Sequence, residues 1–394
     1  MPLRICILLF TLLFSGCALD GRQSFMDPRG EVAWLQYDLF MLTVYVTFGI
    51  FLAVGGTLLW TVWRYRERAG DDPNEHPPQS HGNALVEFAL IAVSIGLLVI
   101  IAIPTVSAIF YTHGMPDEPE SLLGSYYKGD MSDGAEDEVL TIYAYGWQWW
   151  FSFEYPQLGI VTGNELAIPK GKVVRFELRS KDVIHSFWVP KLAGKVDMIP
   201  GRNNWMWLRG DEAGYFFGQC AEYCGEAHAY MQFRVEVMED DDFAEWVEQQ
   251  RQAPEPPQEE SWSDFVVLAN REPEKLKEDP AVRGAALFYG RGACIQCHAI
   301  KGTPAAGLLG PDLTTVASRK SIAAGWMEHH NDDFSINTER QYENFYRWIR
   351  ESEKIKPGNL MYHVSGGMRD IKLSDEDCHD LAAFMMTLRP ESQK

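Results

Sequence analysis

The chain has 394 residues, with 35 Lys and Arg against 55 Asp and Glu, for a formal net charge of −20 at pH 7. That length exceeds one ordinary core, so two or three domains are expected. The acidic balance speaks against nucleic acid as a partner. It suits a basic protein, and it serves equally well to keep an exported domain in solution.

At the N-terminus Arg4 precedes an apolar run from Ile5 to Phe14, which is too short to cross a bilayer and is followed by Ser15-Gly16-Cys17. Residues 1–16 therefore read as a signal peptide. The Ser-Gly-Cys ending resembles the lipobox of bacterial lipoproteins, with Phe14 where Leu or Val is usual. Cys17 is the candidate lipidated residue, and an ordinary leader cysteine is the alternative. Cys6 leaves with the leader. Four of the five cysteines that then remain beside Cys17 fall in two motifs described below, so no disulfide framework is required.

Two stretches, Leu39 to Trp63 and Phe88 to Tyr111, contain no Asp, Glu, Lys, Arg or His. Each exceeds the ~20 residues a spanning helix needs. Residues 17–114 are thus expected to form a membrane anchor with transmembrane helices at about 39–63 and 88–111. Arg64, Arg66 and Arg68 mark the connecting loop as cytoplasmic, which puts both outer ends and everything after residue 112 on the exported side. Glu87 stands just before the second stretch, where a carboxylate also suits the helix dipole.

From about residue 136 the pattern changes to short alternating segments such as Val174-Arg175-Phe176-Glu177-Leu178-Arg179, punctuated by Gly and Pro. This predicts an all-β sandwich or Greek-key barrel over 136–240 with its site on loops at one end. Within it, Cys220-Ala-Glu-Tyr-Cys224-Gly-Glu-Ala-His228-Ala-Tyr-Met231 packs two thiols, an imidazole and a thioether into twelve residues, and His185 follows a strand-like stretch upstream. Thiolate and imidazole together favour copper or zinc over hard cations. A single blue copper uses one Cys, so the second is surplus unless both thiolates bridge two coppers.

Between Glu239 and Glu260 nine acidic residues stand against Arg251, with Pro254, Pro256 and Pro257. Residues 241–278 read as a short acidic helix followed by a Pro/Glu-rich tether. The chain then becomes helical, and 279–390 is expected to be a compact helical domain. It contains Cys294-Ile295-Gln296-Cys297-His298, the attachment signature of a c-type haem: the two thiols add to the haem vinyls, and His298 is the proximal ligand. A distal sulfur has five candidates, Met327, Met361, Met368, Met385 and Met386, of which the last two sit among Leu381, Phe384 and Leu388 and read as helical core. His329, His330, His363 and His379 are expected at the surface, and Cys378 as an inert thiol.

Residues 31–238 resemble subunit II of the haem-copper cytochrome c oxidases. The motifs that carry the resemblance are His185-Ser186-Phe187, Ile199-Pro200-Gly201-Arg202, Gly218 to Gly225 around both cysteines, His228-Ala229-Tyr230-Met231, and the aromatic run Tyr145 to Phe151. The resemblance implies a cupredoxin barrel holding a binuclear copper centre. Cys220 and Cys224 would bridge it, His185 and His228 would be terminal ligands, and Met231 and the Glu222 carbonyl weak ones. The Glu222 side chain would help hold a magnesium ion shared with subunit I. Trp149 matches the family's electron-receiving tryptophan, with a buried β-core aromatic as the alternative, and Phe151 replaces a more usual Trp. Glu87 matches a glutamate near the mouth of a proton channel of subunit I.

In the C-terminal domain, Lys356-Pro357-Gly358-Asn359-Leu360-Met361 and Gly310-Pro311-Asp312-Leu313 resemble the methionine loop and haem-edge loop of class I cytochromes c fused to such subunits. This favours Met361 as the distal ligand. Met368, in the Gly-rich stretch Val364 to Asp370, stays a rival, and Tyr362 stands where Pro is common.

The implied function is electron transfer in a proton-pumping oxidase of a bacterial inner membrane, with both domains periplasmic. Electrons would run from a donor, a cytochrome c or another redox protein, through haem c and the copper pair to subunit I, which reduces oxygen. Implied partners are subunit I, further membrane subunits and lipid. A copper-containing nitric oxide reductase subunit is the nearest alternative. The two spanning segments disfavour a nitrous oxide reductase, and intact copper ligands disfavour a quinol oxidase subunit. From a different class, a non-catalytic copper or haem redox-sensing lipoprotein needs no partner subunit.

Overall fold

The computed structural model describes residues 21–68, 81–114, 139–258 and 261–390. The leader and Cys17 lie outside the described residues. The chain divides into two compact units, one comprising Trp34 to Pro116 and the other containing the remaining domains.

The apolar stretches form α1 (Glu31–Arg64) and α2 (Ala84–His113), of 34 and 30 residues. At 1.5 Å per residue these are about 50 and 45 Å long, more than the ~30 Å of a bilayer core. Phe51, Leu58, Leu59, Phe88, Leu98 and Phe110 stand exposed along them, a surface that lipid or neighbouring membrane helices would cover. Both helices run beyond the apolar limits read from sequence. Hydropathy marks the width of a bilayer, whereas helix ends follow hydrogen bonding. Asn83 caps α2 by accepting from the backbone N–H groups of Leu85 and Val86.

Ten strands build the β domain: β1 (Thr141–Trp147), β2 (Trp150–Tyr155), β3 (Ile160–Gly163), β4 (Glu165–Pro169), β5 (Val174–Ser180), β6 (His185–Trp188), β7 (Lys195–Met198), β8 (Asn204–Leu208), β9 (Gly214–Cys220) and β10 (Gln232–Met238). They pair as two five-stranded sheets in the orders β3-β2-β1-β5-β8 and β4-β10-β9-β6-β7. Alternation decides which face is core. In β5, Val174, Phe176 and Leu178 are buried, while Arg175 on the other face pairs with Glu177 at 2.6 Å. Between the sheets, Phe151, Phe153, Phe187 and Phe233 form an aromatic cluster with Phe187 and Phe233 centroids 4.7 Å apart. Burying each such ring stabilises the fold by roughly 1.5–3 kcal/mol. β9 ends at Cys220 and β10 starts just after Met231. The Cys220 N–H donates to the Met231 carbonyl at 2.9 Å, which closes the cysteine loop at one end of the barrel.

After β10 comes α3 (Asp240–Arg251), then α4 (Trp262–Arg271), α5 (Pro280–Tyr289), a small ribbon of β11 (Ser321–Ile322) and β12 (Met327–Glu328), α6 (Thr338–Ile355), α7 (Leu360–His363) and α8 (Asp375–Thr387). α4 departs from the expected tether. Ser261 caps it, Trp262 and Phe265 are buried in the helical core, and the Trp262 indole N–H donates to the Pro254 carbonyl at 2.7 Å. Its apolar residues at i, i+3 and i+4 were masked by the acidic, Pro-rich surroundings. α5 and α8 cross so closely that a Cβ on Gly284 would strike the backbone of Asp380. Arg283 clamps the same crossing through Asp380 at 2.6 and 2.7 Å.

The ribbon lies against the β domain within this unit. Gln232 N–H donates to the Ala324 carbonyl at 3.0 Å. Arg234, only 2 % exposed, donates to the Gly325 carbonyl at 2.6 Å and to Glu328 at 3.0 Å while covering the Phe217 ring. This docking corrects the surface expectation for two histidines. His329 and His330 are buried, the first donating to the Arg319 carbonyl at 2.7 Å and the second packing edge-on to Tyr215. His363 remains exposed and His379 is half-buried, stacked on Tyr346.

Candidate metal centre and haem cavity

His185 opens β6 with its ring fully buried. Its Nε2 lies 2.7 Å from Oδ1 of Asp182, whose carboxylate also accepts from the backbone N–H of Gln148 at 2.6 Å and of Val183 at 2.7 Å. Burial opposes ionisation of Asp182, but the hydrogen bonds from His185, Gln148 and Val183 outweigh it and hold the carboxyl below its ordinary range. The ionised acceptor makes Nε2 the protonated nitrogen and leaves Nδ1 as a lone-pair donor. Gly146 makes room for this ring, since a Cβ there would lie 2.8 Å from His185 Cγ.

Around Nδ1 the other candidates converge. Cys220 Sγ is 3.9 Å from it, and 3.8 Å from Cys224 Sγ. Cys224 Sγ in turn lies 3.5 Å from His228 Nδ1 and 3.8 Å from Met231 Sδ. The Glu222 carbonyl is 3.2 Å from Cys220 Sγ, whereas a Glu222 carboxylate oxygen accepts from the Tyr223 N–H at 3.1 Å. All six sequence candidates are therefore in one place. The two thiols share a proton: the hydrogen bond from Cys224 favours the thiolate at Cys220 and holds Cys224 protonated. Removing that second proton needs a compensating cation. Two thiols, two imidazoles, a thioether and a carbonyl make a soft donor set that fits copper.

In the helical domain a cavity is lined by Cys294, Cys297 and His298, and by three methionines, Met361, Met368 and Met385. The His298 Nδ1–H donates to the Pro311 carbonyl at 2.8 Å, which leaves Nε2 free for a metal. Burial lowers the pKa of His298 and keeps the ring neutral, and burial also pushes the Cys294 thiol up to about 12. Gly310 is required against this ring, because a Cβ there would sit 2.8 Å from His298 Nδ1. Two thiols and a neutral imidazole on one cavity wall fit a haem. Met385, read from sequence as core, is both core and cavity wall. Met327 is buried in the helical core.

Trp149 belongs to both places. It occupies the turn between β1 and β2, not the β core, and its indole N–H donates to the Cys224 carbonyl at 3.0 Å. Gln148 Nε2 donates to the same oxygen at 2.9 Å. The Trp149 side of this turn also lines the haem cavity. Phe151 is sequestered in the aromatic cluster, and Glu87 is exposed in the first turn of α2. Asp182 is the residue whose role sequence reasoning missed, although its place three residues before a candidate histidine was the available signal.

Residues 158–238 match the family described as cytochrome C oxidase subunit II, periplasmic domain, and residues 281–389 match cytochrome c. The first family implies copper and the second haem. Among curated relatives, cytochrome c oxidase subunit 2 of Alkalihalophilus pseudofirmus is 34% identical over 379 residues, covering 96% of this chain and 94% of the relative. The protein of the same name from Bacillus sp. strain PS3 is 30% identical, covering 97% and 96%. Among solved structures, the periplasmic domain of subunit II of cytochrome oxidase of Bradyrhizobium japonicum is 39% identical with a TM-score of 0.27, covering 28% of this chain and 91% of that one. Similarity of this degree over nearly the whole of both sequences places the chain in the cytochrome c oxidase subunit II family, in a form that carries its own cytochrome c domain.

Proposed function

We propose that this chain is the electron-accepting subunit of a bacterial terminal oxidase. The observation that best supports this is Trp149, which borders the haem cavity while hydrogen-bonding the carbonyl of Cys224. Bound to this chain, haem c and a binuclear copper centre supply one-electron relay from a donor toward subunit I, where oxygen is reduced to water and protons are pumped. Cys294, Cys297 and His298 would hold the haem, and Met361 would supply a further ligand to it. Cys220, Cys224, His185 and His228 would hold the copper, with Met231 and the Glu222 carbonyl as weaker ligands.

The remaining assignments follow the family resemblance. Glu222 contributes to a magnesium site shared with subunit I, Glu87 stands near a proton inlet of that subunit, and Cys17 carries lipid. α1 and α2 cross the inner membrane with the β and helical domains on the periplasmic side.

The test is purification of the complex through this chain. Co-purification of a polytopic haem-copper subunit, a mixed-valence copper signal and turnover with oxygen are expected. Turnover with nitric oxide alone would assign the chain to a nitric oxide reductase. Isolation without a polytopic partner would favour the sensing lipoprotein.

A further inference from the structure

We infer that Lys356 is a positioning residue that locks Trp149 into the place where the haem cavity and the copper loop share it. The inference rests on the proposed haem-to-copper relay and names the residue that holds its geometry. Lys356 follows α6 and begins the turn that leads to Met361. It is only 4 % exposed, and among the described residues its ammonium has no carboxylate partner. Its Nζ donates to the Trp149 carbonyl at 2.6 Å. Its nearest opposing charge is the Cys224 sulfur, which burial outweighs, and an amine buried without a carboxylate is costly, so this one needs a structural reason. Burial draws its pKa down to about 7, and charged or neutral the group still carries N–H to donate.

The contacts around Trp149 show what the bond does. The residue is held at its carbonyl by Lys356, from the haem domain, and at its indole nitrogen by Cys224, from the copper loop. Gly225 packs against the ring from the copper side, where a Cβ would sit 3.0 Å from Cζ2. Two residues after Lys356, Gly358 adopts a positive φ of 78° and faces Glu226 so closely that a Cβ would lie 2.7 Å from its Cδ. The turn that delivers Met361 therefore touches the loop that carries both cysteines, and the lysine fixes the backbone from which the aromatic ring projects between them. A one-electron transfer between haem in the cavity and copper on the loop would be a step with no bond made or broken, one centre oxidised as the other is reduced. Tunnelling falls steeply with separation, so a ring free to tilt away from either side slows that step without altering either centre.

The experiment uses the assembled oxidase. Electrons are photo-injected into the haem and the haem-to-copper rate is followed optically, with both potentials and the copper hyperfine spectrum recorded on the same samples. Lys356→Met keeps the length of the side chain and removes its donor. We expect a rate at least about tenfold lower at matched driving force, with both spectra retained. In a Trp149→Ala background the same substitution should have no further effect, because the ring it positions is gone. A full rate in Lys356→Met with both centres loaded overturns the inference. An equal loss in both backgrounds also overturns it, since the lysine then acts on the haem itself. If Lys356→Met binds no haem, Lys356→Gln is taken through the same cycle, and loss of haem there too would make the lysine a folding residue. Absence of haem-to-copper transfer in the unaltered oxidase would instead sink the proposed relay.

Discussion

Asp182 and His185 form a carboxylate–imidazole pair at 2.7 Å whose effect is to aim the other ring nitrogen at Cys220. Metal-ligand histidines depend on such partners for tautomer and orientation. Asp182→Ala should weaken copper binding by about 10- to 100-fold while leaving the β fold intact. Chelator competition followed by copper absorbance measures this, and unchanged affinity would remove Asp182 from the site's support.

The 3.8 Å between Cys220 Sγ and Cys224 Sγ, with His228 and Met231 both on the Cys224 side, leads to unequal effects of substitution. Cys224→Ser should abolish the mixed-valence copper signal, because one thiolate cannot bridge a pair symmetrically. Met231→Leu, in contrast, should keep the copper and shift its potential. A multiline spectrum that survived Cys224→Ser would rule out a bridged pair.

Met361 and Met368 line the same cavity, and the Met368 N–H donates to the Met361 carbonyl at 2.9 Å. If Met361 supplies the distal sulfur, Met361→Ala should remove the low-spin His/Met absorption and lower the haem potential, since loss of thioether ligation favours the ferric state. Met368→Ala should leave both in place. The opposite result would move the ligand into the Gly-rich loop.

The cysteine loop was legible in the sequence because metal-binding motifs fix both residue type and spacing: Cys220, Cys224, His228 and Met231 lie on one closed loop, and the structure brings them together. The strand β5 was legible for a similar local reason, its period of two. What escaped was made by tertiary contact. An aspartate three residues before a histidine is ordinary until the β6 turn brings them together. Trp262 and Phe265 joined the helical core from within a stretch whose acidic, Pro-rich composition reads as solvated. His329 and His330 became buried only because the β11–β12 ribbon docks on the barrel, and that docking depends on Arg234, an unremarked residue of β10.

That docking carries a pH signature through Glu328, which accepts from Arg22 at 2.7 Å and from buried Arg234 at 3.0 Å. Burial works to raise the Glu328 pKa, but the bonds from the two arginines prevail and lower it. A carboxyl depressed on folding contributes stability that is fully present above its unfolded pKa of about 4.3 and is lost as pH falls through the lower folded value. Contact between ribbon and barrel should therefore hold from neutral pH down to about 4.5 and weaken below that. Glu328→Gln should remove this acid-side loss and cost about 1–3 kcal/mol at pH 7, because Arg234 keeps its buried charge with a poorer partner. Thermal unfolding against pH measures both effects. A Glu328→Gln curve parallel to that of the unaltered chain would show that Glu328 does not titrate with docking.

Net charge alone led to the expectation of a basic donor steered by the exported acidic surface, and the location of the charge changes that expectation. Residues 261–390 contain 16 Lys and Arg against 18 Asp and Glu, a difference of only −2 out of −20 for the whole chain. Of the cavity-lining residues, Leu309 and Leu360 are 58% and 45% exposed, with Leu308 next in sequence at 74%. A donor that delivers electrons to the haem thus meets a nearly neutral domain with an apolar rim, where desolvation contributes more than long-range attraction. Raising ionic strength from 0.01 to 0.15 M shortens the Debye length from about 30 to about 8 Å, yet the second-order rate of reduction by a basic soluble cytochrome should change by less than about threefold. Leu360→Asp should lower that rate by more than the salt change does. A steep fall with salt would place docking on the acidic segments outside 261–390. In that case deleting 261–390 should leave donor-driven turnover intact, with electrons reaching Trp149 and the copper loop directly.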